Sequence, residues 1–362
     1  MMYKKVDEKT VEAAVYGGAF YGGGGGGDIA TGLKYGLLAV ELGDLYIIDV
    51  ETAGHKYGDK QVLTCSMLGA PSARQRHVTP SHILRSAELL LKATDEQVAG
   101  FITAENGGFS SVNGWIPAAL LGLPVIDAPA DGRAHPTGVM GSMGLHKVRD
   151  YISIQAAVGG NPEIGTYVEI LAKGSIEKVD KIMREASVQA GGLVAVTRNP
   201  VPLSYIKANA APGALSQAVA VGEVYQRSFD DVKEKIEAVV STAGANVIAT
   251  GVVKEVRLES VGGYDVGEVI IKAEKNTFAL CFFNEYMTLE DASGNRYATF
   301  PDLITTLDAE TAIPVNTAEV RANMKLVIVT ASKDHIPLGS GVKDPDLIKQ
   351  VEKIVNKQLV GS

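Results

Sequence analysis

The segment GFITAENGGFSSVNGWIPAALLGLPVIDA (100–128) decides the fold of the first half of the chain. Its apolar start, GFITA, predicts a short strand, and AENGG forms the turn where that strand ends. A helix is predicted from Trp115 to Leu121, and a second apolar strand, LPVIDA, follows it. Strands that alternate with helices are typical of a layered α/β domain with a mostly parallel sheet. Because ligands of such sheets bind beyond the C-terminal strand ends, Glu105 and Asp127 become candidate functional residues.

The pattern changes after about residue 165. Residues 246–329 contain several apolar, β-branched runs, such as GEVIIKAE and TFALCFF, which are separated by turn residues. We therefore predict two domains, 1–165 and 166–362. The first is a layered α/β domain with glycine-rich loops, and the second is a β-rich α+β domain. Helix caps are expected at Thr10 and Asp28, and another helix at Ser228.

Composition excludes several classes of partner. The net charge of −8 argues against nucleic acid, because phosphate binding needs a basic face. No run of 18 uncharged apolar residues predicts a membrane span, and the N-terminus lacks the apolar stretch of a signal peptide. Cys65 and Cys281 are interpreted as reduced thiols of a cytoplasmic protein. Two cysteines cannot hold an iron–sulfur cluster by thiolates alone.

Six consecutive glycines (22–27) precede Asp28. They satisfy the dinucleotide pattern G-x-G-x-x-G automatically, but a helix rather than a strand is predicted before them, so no nucleotide cofactor is expected. Asp28 would itself repel a phosphate at the helix start. The run is either a flexible surface loop or a loop packed under an active site that contributes backbone N–H groups. We favour the packed loop.

Charged side chains cluster in the two turns that follow the predicted strands. Glu105 is either a surface cap or a general acid or base. Asp127, Asp131 and Arg133 form either a structural ion pair or a site in which Arg133 binds a substrate carboxylate while an aspartate transfers protons. His135 lies beside Arg133 in the same glycine-containing turn.

Other candidates lie further from these turns. Cys65 is either buried and inert or a thiolate nucleophile, which would need a basic neighbour. Asn284, Glu285 and Asp302 fall at predicted strand ends of the second domain. Each is structural when taken alone, but together they could line an interdomain cleft, a common place for substrates.

The motifs occur in the order of a known family. LGAP, ENGG followed by Ser-Ser-Val-Asn, LGLPVIDA, DGRAHP, FFNEY and FPDLI resemble the S-methyl-thiohydantoin desulfurase family over roughly residues 10–355. The chain departs from the family at His135, which replaces an aromatic residue, and at Thr137, which replaces an acid. It also carries Arg74, Gln75, Arg76 and His77 where the family has Glu-Lys.

The resemblance implies a hydrolytic desulfurase that replaces the sulfur of a 2-thiohydantoin, or of its S-methyl derivative, by oxygen. In this interpretation Glu105 or Asp127 is the base, His135 is an acid or a metal ligand, and Arg133 anchors the substrate. Asp131 and Cys65 complete the catalytic candidates. Substrate contacts are expected from Gly25, Gly26, Asp28, Asn106, Gly107, Gly108, Asn284, Glu285 and Asp302.

Several alternatives stay open. The same groups could open a hydantoin-like ring, as a cyclic-amide hydrolase does, or the chain could be a non-catalytic partner subunit of a hydantoinase or oxoprolinase. A divalent metal such as zinc would supply a nucleophilic water and bind sulfur, with no ligand set assigned. We expect a small cyclic ureide or thioureide substrate and a homo-oligomer.

Overall fold

The computed structural model describes residues 2–70, 72–94 and 96–360, which form ten α-helices and 15 strands. The helices are α1 (Glu8–Tyr21), α2 (Ile29–Leu42), α3 (Val50–Tyr57), α4 (Pro80–Thr94), α5 (Trp115–Leu121), α6 (Ile176–Gln189), α7 (Leu203–Asn209), α8 (Ala214–Tyr225), α9 (Val232–Thr242) and α10 (Pro345–Val355). The strands are β1 (Tyr3–Lys5), β2 (Tyr46–Ile48), β3 (Gln61–Gly69), β4 (Val98–Thr103), β5 (Val125–Ile126), β6 (Ser153–Gly159), β7 (Val168–Gly174), β8 (Leu193–Pro202), β9 (Asn246–Val261), β10 (Tyr264–Ala273), β11 (Thr277–Phe283), β12 (Glu285–Asp291), β13 (Arg296–Thr299), β14 (Leu303–Asp308) and β15 (Lys325–Ala331).

The first sheet has the strand order β1-β2-β5-β4-β3-β8-β6-β7. Strands β2, β5, β4 and β3 are parallel to one another, as the alternation of strands and helices predicts. Successive side chains on these strands enter different cores: Phe101 packs with α1, α2, α4 and α5, while Ile102 packs with α3 and α7. Both faces of the sheet are therefore buried under helices, and the predicted α/β class is confirmed.

Strands β8, β6 and β7 extend the same sheet with antiparallel pairs. Strand β8 lies directly beside β3, although about 130 residues of chain separate their paired residues. The first sheet thus draws strands from both sides of residue 165, and the domain boundary proposed there stays a prediction.

The second sheet is antiparallel throughout, with the order β13-β12-β11-β10-β9-β15-β14, and forms a half-barrel. Phe283 faces a core that α8, α9 and α10 cover, while its neighbour Phe282 faces the opposite side of the sheet. This confirms the predicted β-rich second domain.

Helix starts follow short side chains that accept backbone hydrogen bonds. Asp28 caps α2, as expected, by accepting from Thr31 N at 2.8 Å. Thr10 does not cap α1; Asp7 does, and Thr10 N donates to it at 2.8 Å. Likewise α9 begins after Asp231 rather than at Ser228. Within the described part of the chain, no helix combines the length and apolarity needed to cross a membrane.

Candidate active site

A cavity of about 880 Å³ lies between the two sheets. Turns of the first domain form one wall and the second domain forms the other. Side chains and backbone that line it include Gly26, Gly27, Asp28, Glu105, Ser110, His135, Arg184, Arg198, Asn284 and Glu285.

The ends of the parallel strands bring two of these turns together. Ala130 N donates to Thr103 O at 2.9 Å, and Asp131 N donates to Ala104 O at 3.0 Å. These bonds continue the parallel pairing beyond β4, so Glu105 and His135 reach the same end of the sheet. This is the place where open α/β sheets bind ligands.

Glu105 accepts two hydrogen bonds at the cavity wall. Its Oε1 accepts from Ser110 Oγ at 3.0 Å, and its Oε2 accepts from His135 N at 3.1 Å. His135 Nδ1 lies 2.7 Å from the same Oε2. The side chain of Glu105 remains 13% exposed and that of His135 3%, so the carboxylate is fixed but still open to the cavity. A carboxylate in this position can accept a proton from a bound water.

Glu285 faces Glu105 from the second domain. Burial raises the pKa of Glu285 well above its ordinary value, and the charge of Glu105 raises it further. Its Oε2 has no hydrogen-bond partner within the described residues. Two neighbouring carboxyl groups can differ in protonation when their environments differ, and burial favours the protonated form of Glu285.

The glycine loop is buried rather than a flexible surface segment. Gly26 O accepts from Phe109 N at 3.0 Å and from Ser110 N at 2.9 Å. Gly26 has a φ of +72°, and a Cβ there would lie 2.5 Å from Gly107 Cα, so a side chain would be both strained and obstructed. The N–H groups of Gly26 and Gly27 find no acceptor within the described residues, and both glycines line the cavity.

Arg133 does not line the cavity, contrary to its expected role as a substrate anchor. It is fully buried, and its guanidinium donates to the carbonyls of Ala134 (3.1 Å), Pro301 (3.2 Å), Asp302 and Tyr286 (3.5 Å). It also stacks on the Phe300 ring at 4.6 Å. Because carbonyls of the chain itself occupy these donors, Arg133 joins the two domains rather than binding a substrate carboxylate.

Asp127 and Asp131 also lie away from the cavity lining. Asp127 accepts from Leu215 N at 2.9 Å and Ser216 N at 3.2 Å, so it stabilises the start of α8. Asp131 accepts from Gly132 N at 2.9 Å and Gly339 N at 3.1 Å. Neither Asp127 nor Asp131 is therefore assigned a role in proton transfer.

Cys65 is buried on β3, outside the cavity lining, 3.8 Å from Thr197 Oγ1. Burial raises the pKa of its thiol to about 12. The thiol is therefore protonated at neutral pH, and the inert alternative is the better one.

The expected substrate contacts divide into two groups. Gly26, Asp28, Asn284 and Glu285 line the cavity. The remaining residues do not line it: Gly25, Asn106, Gly107, Gly108 and Asp302. Asn106, for example, donates to Gly132 O at 3.1 Å and to Ala214 O at 2.8 Å, and the carboxylate of Asp302 accepts from Lys333 N at 2.8 Å.

Sequence reasoning missed Arg198, which lines the cavity from β8. It is 2% exposed, and its Nε and Nη1 have no hydrogen-bond partner within the described residues. The available signal was an arginine inside the apolar run LVAVTRNPVP (193–202), because arginine is rarely buried without a partner.

The described residues contain no group of three or more His, Cys, Asp or Glu side chains arranged to hold a metal ion. The expectation of a divalent metal such as zinc stays a prediction, and the chemistry below is derived from the chain's own residues.

Comparisons with known proteins agree with this architecture. The model of the S-Me-THD-like N-terminal domain matches residues 9–164, and that of the S-Me-THD-like C-terminal domain matches residues 174–336. A crystal structure of a protein from Chromobacterium violaceum has a TM-score of 0.71 and 19% identity, covering 98% of this chain and 96% of that chain. That likeness shows a shared fold. No curated protein matches the chain significantly.

Proposed function

This chain belongs to the S-Me-THD-like family, and we propose that it is a hydrolytic desulfurase of 2-thiohydantoins or their S-methyl derivatives. The family name implies a thiohydantoin-related enzyme. The observation that carries the more specific proposal is the pair of carboxyl groups at the cavity, Glu105 and Glu285, which come from different domains. Burial raises the pKa of Glu285 and so favours its protonated form.

The addition step uses both carboxyl groups. For an S-methyl substrate, Glu105 accepts one proton of a water molecule while the water oxygen bonds to ring carbon C2. The electron pair of the C2=N bond moves to nitrogen, which takes the proton of Glu285. His135 and Ser110 keep the Glu105 carboxylate in place during this transfer.

The elimination step restores both groups. The C2–S bond breaks, and sulfur leaves as methanethiol with the proton that Glu105 holds. The hydroxyl proton on C2 returns to Glu285 as the carbonyl forms. One water is consumed and one hydantoin and one thiol are released. The N–H groups of Gly26 and Gly27 stabilise polar atoms around the tetrahedral carbon.

A substrate panel tests this proposal. Purified protein is incubated with 2-thiohydantoin, its S-methyl derivative and hydantoin, while ring absorbance, sulfide and methanethiol are measured. We expect sulfur release with an intact hydantoin ring. Ring opening without sulfur release would overturn the proposal in favour of a cyclic-amide hydrolase, and absence of turnover across the panel would favour the partner subunit. Elemental analysis of the same protein checks the expectation of zinc.

A further inference from the structure

The first sheet ends in a long strand with a free edge. Within the described residues, β7 pairs only with β6, along seven residues and without a register shift. Its sequence, VEILAKG, contains no proline, and no bulge interrupts it. The outward-facing backbone groups of such an edge strand form a template for pairing with another chain. Strand β7 is therefore a candidate interaction surface.

Exposed apolar side chains concentrate around this edge. On one face of β7, Val168, Ile170 and Ala172 pack against the core that α6 covers. On the other face, Leu171 is 43% exposed. Further large apolar side chains are exposed on or beside the β6–β7 hairpin and on α6: Ile152, Ile164, Tyr167, Ile182 and Val188. Such a concentration is typical of a surface that a partner covers.

The charges of β7 indicate which partner fits. Glu169 and Lys173 share a face with Leu171 and lie two residues to either side of it. If a second copy of β7 pairs antiparallel with Leu171 at the centre, Glu169 lies opposite the partner subunit's Lys173, and a twofold axis repeats this pair. Opposite charges directly across two strands stabilise their pairing. Arg85 already contacts Glu169 at 2.7 Å, but the Glu169 side chain remains 30% exposed, so a second cation can reach it.

The neighbouring registers lack this complementarity. Directly opposite residues of an antiparallel pair share a face of the sheet, so a symmetric pairing must be centred on a residue of β7. A register centred on Ile170 places Glu169 opposite Leu171, and one centred on Ala172 places Lys173 opposite Leu171. Of the three registers, only the one centred on Leu171 brings opposite charges together. The strand is therefore self-complementary in one of these registers.

We propose that two copies of this chain form a twofold dimer through β7, paired antiparallel about Leu171, so that their first sheets become one continuous sheet. The pairing keeps both α6 helices on one face, where they lie side by side across the axis. Ile182 and Arg184 project from opposite flanks of α6, because two residues span about 200° of a helix. Arg184 lines the cavity and stacks on Tyr264 at 3.9 Å, so the exposed Ile182 faces away from the cavity. The dimer rests on the sheet edge and is independent of the proposed reaction.

Sedimentation of the full chain over a range of protein concentrations tests the proposal. We expect a dimer for the wild type. Leu171→Lys should raise the dissociation constant of the dimer at least about tenfold, because it removes the central apolar contact and places two lysines opposite each other. Val247→Lys is the matched control. Val247 is 46% exposed and lies on β9 of the second sheet, so its replacement should leave the dimer intact.

Cross-linking tests the register. Cys65 and Cys281 are buried and do not compete for oxidation. In the proposed register, Leu171→Cys places two thiols directly opposite each other, within reach of a disulfide, so mild oxidation should give a covalent dimer. Lys173→Cys should not cross-link, because its two thiols lie roughly 13 Å apart along the strands.

Several results would overturn the dimer through β7. These are a monomeric wild type, a dimer that survives Leu171→Lys unchanged, and a wild-type dimer for which Leu171→Cys fails to cross-link. Cross-linking of Lys173→Cys as fast as that of Leu171→Cys would also contradict the register centred on Leu171.

Discussion

Arg133 and Arg198 are both buried, but the guanidinium group of Arg133 has hydrogen-bond partners within the protein that the guanidinium group of Arg198 lacks. The guanidinium of Arg133 donates to four carbonyl groups and stacks on Phe300. Arg198 keeps two nitrogens without a partner within the described residues, at the wall of a cavity. Each guanidinium nitrogen of Arg133 therefore donates a hydrogen bond within the protein, whereas two guanidinium nitrogens of Arg198 do not.

This difference separates an interface region from a cavity region. The interface region comprises Arg133 with its backbone partners, and it joins segments that are distant in the chain. The cavity region comprises Glu105, His135, Glu285 and Arg198. Satisfied buried polar groups stabilise a fold, whereas unsatisfied ones beside a cavity indicate where a ligand binds. Substitutions in the two regions should therefore differ in kind.

The largest effect is expected for Arg133→Met, because the carbonyls of Pro301, Asp302 and Tyr286 lose their donor. This substitution should lower the free energy of unfolding by more than about 4 kcal/mol and leave little folded protein. Arg198→Met should unfold at a distinctly higher urea concentration than Arg133→Met. Urea unfolding of both variants checks this, and similar midpoints would erase the distinction between the regions.

Glu285→Gln should lower kcat/KM by roughly 100-fold or more while the protein stays folded, since the general acid is lost. Burial raises the pKa of Glu285 and favours the protonated acid, so wild-type activity should fall as pH rises through that raised pKa. The variant should lack this alkaline decline. Glu290→Gln, on the same strand but paired with Arg296 outside the cavity lining, is the control. A variant that retains the wild-type alkaline decline would remove Glu285 from the mechanism.

Asp131→Asn should change stability more than activity. Burial raises the pKa of Asp131 to about 7, whereas an unfolded aspartate titrates near ~4. The folded protein then holds a proton that the unfolded chain has lost, so this group makes stability fall as pH rises from ~4 to about 7. The variant lacks this loss and should be more stable at pH 8 by on the order of 1 kcal/mol.

Urea unfolding at pH 5 and pH 8 measures the effect, with Asp44→Asn as an exposed control. An unchanged pH dependence in Asp131→Asn would show that Asp131 is ionised in the folded protein at both values.

Cys65→Ser should have the smallest effect, with activity within about twofold of wild type, because the protonated thiol lies outside the cavity lining. Iodoacetamide in equal amount to the protein should leave Cys65 unmodified near neutral pH. If modification of Cys65 tracks loss of activity and substrate prevents both, the thiol is the nucleophile and the water mechanism is wrong.

Local sequence patterns were sufficient to predict the parallel strands and to place Glu105 and His135 near one end of the sheet. The apolar runs around them have the length of buried strands, and the turns that follow must lie at one end of the sheet. The same logic misplaced Asp127, because the helix start that takes its carboxylate lies 88 residues further along the chain.

For the same reason, the sequence could not show which of the two arginines, Arg133 or Arg198, lines the cavity. Two of the carbonyls that accept from Arg133 belong to residues 168 and 169 positions away, and the pairing of β8 with β3 spans a similar range. Such long-range pairing has no local signature. Arg133 lies in a glycine-containing turn that suggests function, whereas Arg198 lies in an apolar strand that suggests core.

We propose that water activated by Glu105 replaces sulfur at ring carbon C2. Turnover of the S-methyl substrate in ¹⁸O-enriched water, by wild type and by Glu105→Gln, tests it most directly with mass spectrometry. We predict one ¹⁸O in the C2 carbonyl of the hydantoin, equimolar methanethiol, and a rate at least roughly 100-fold lower in the variant. Label in a ring-opened carboxylate with sulfur retained, or an unchanged rate in Glu105→Gln, would contradict the account.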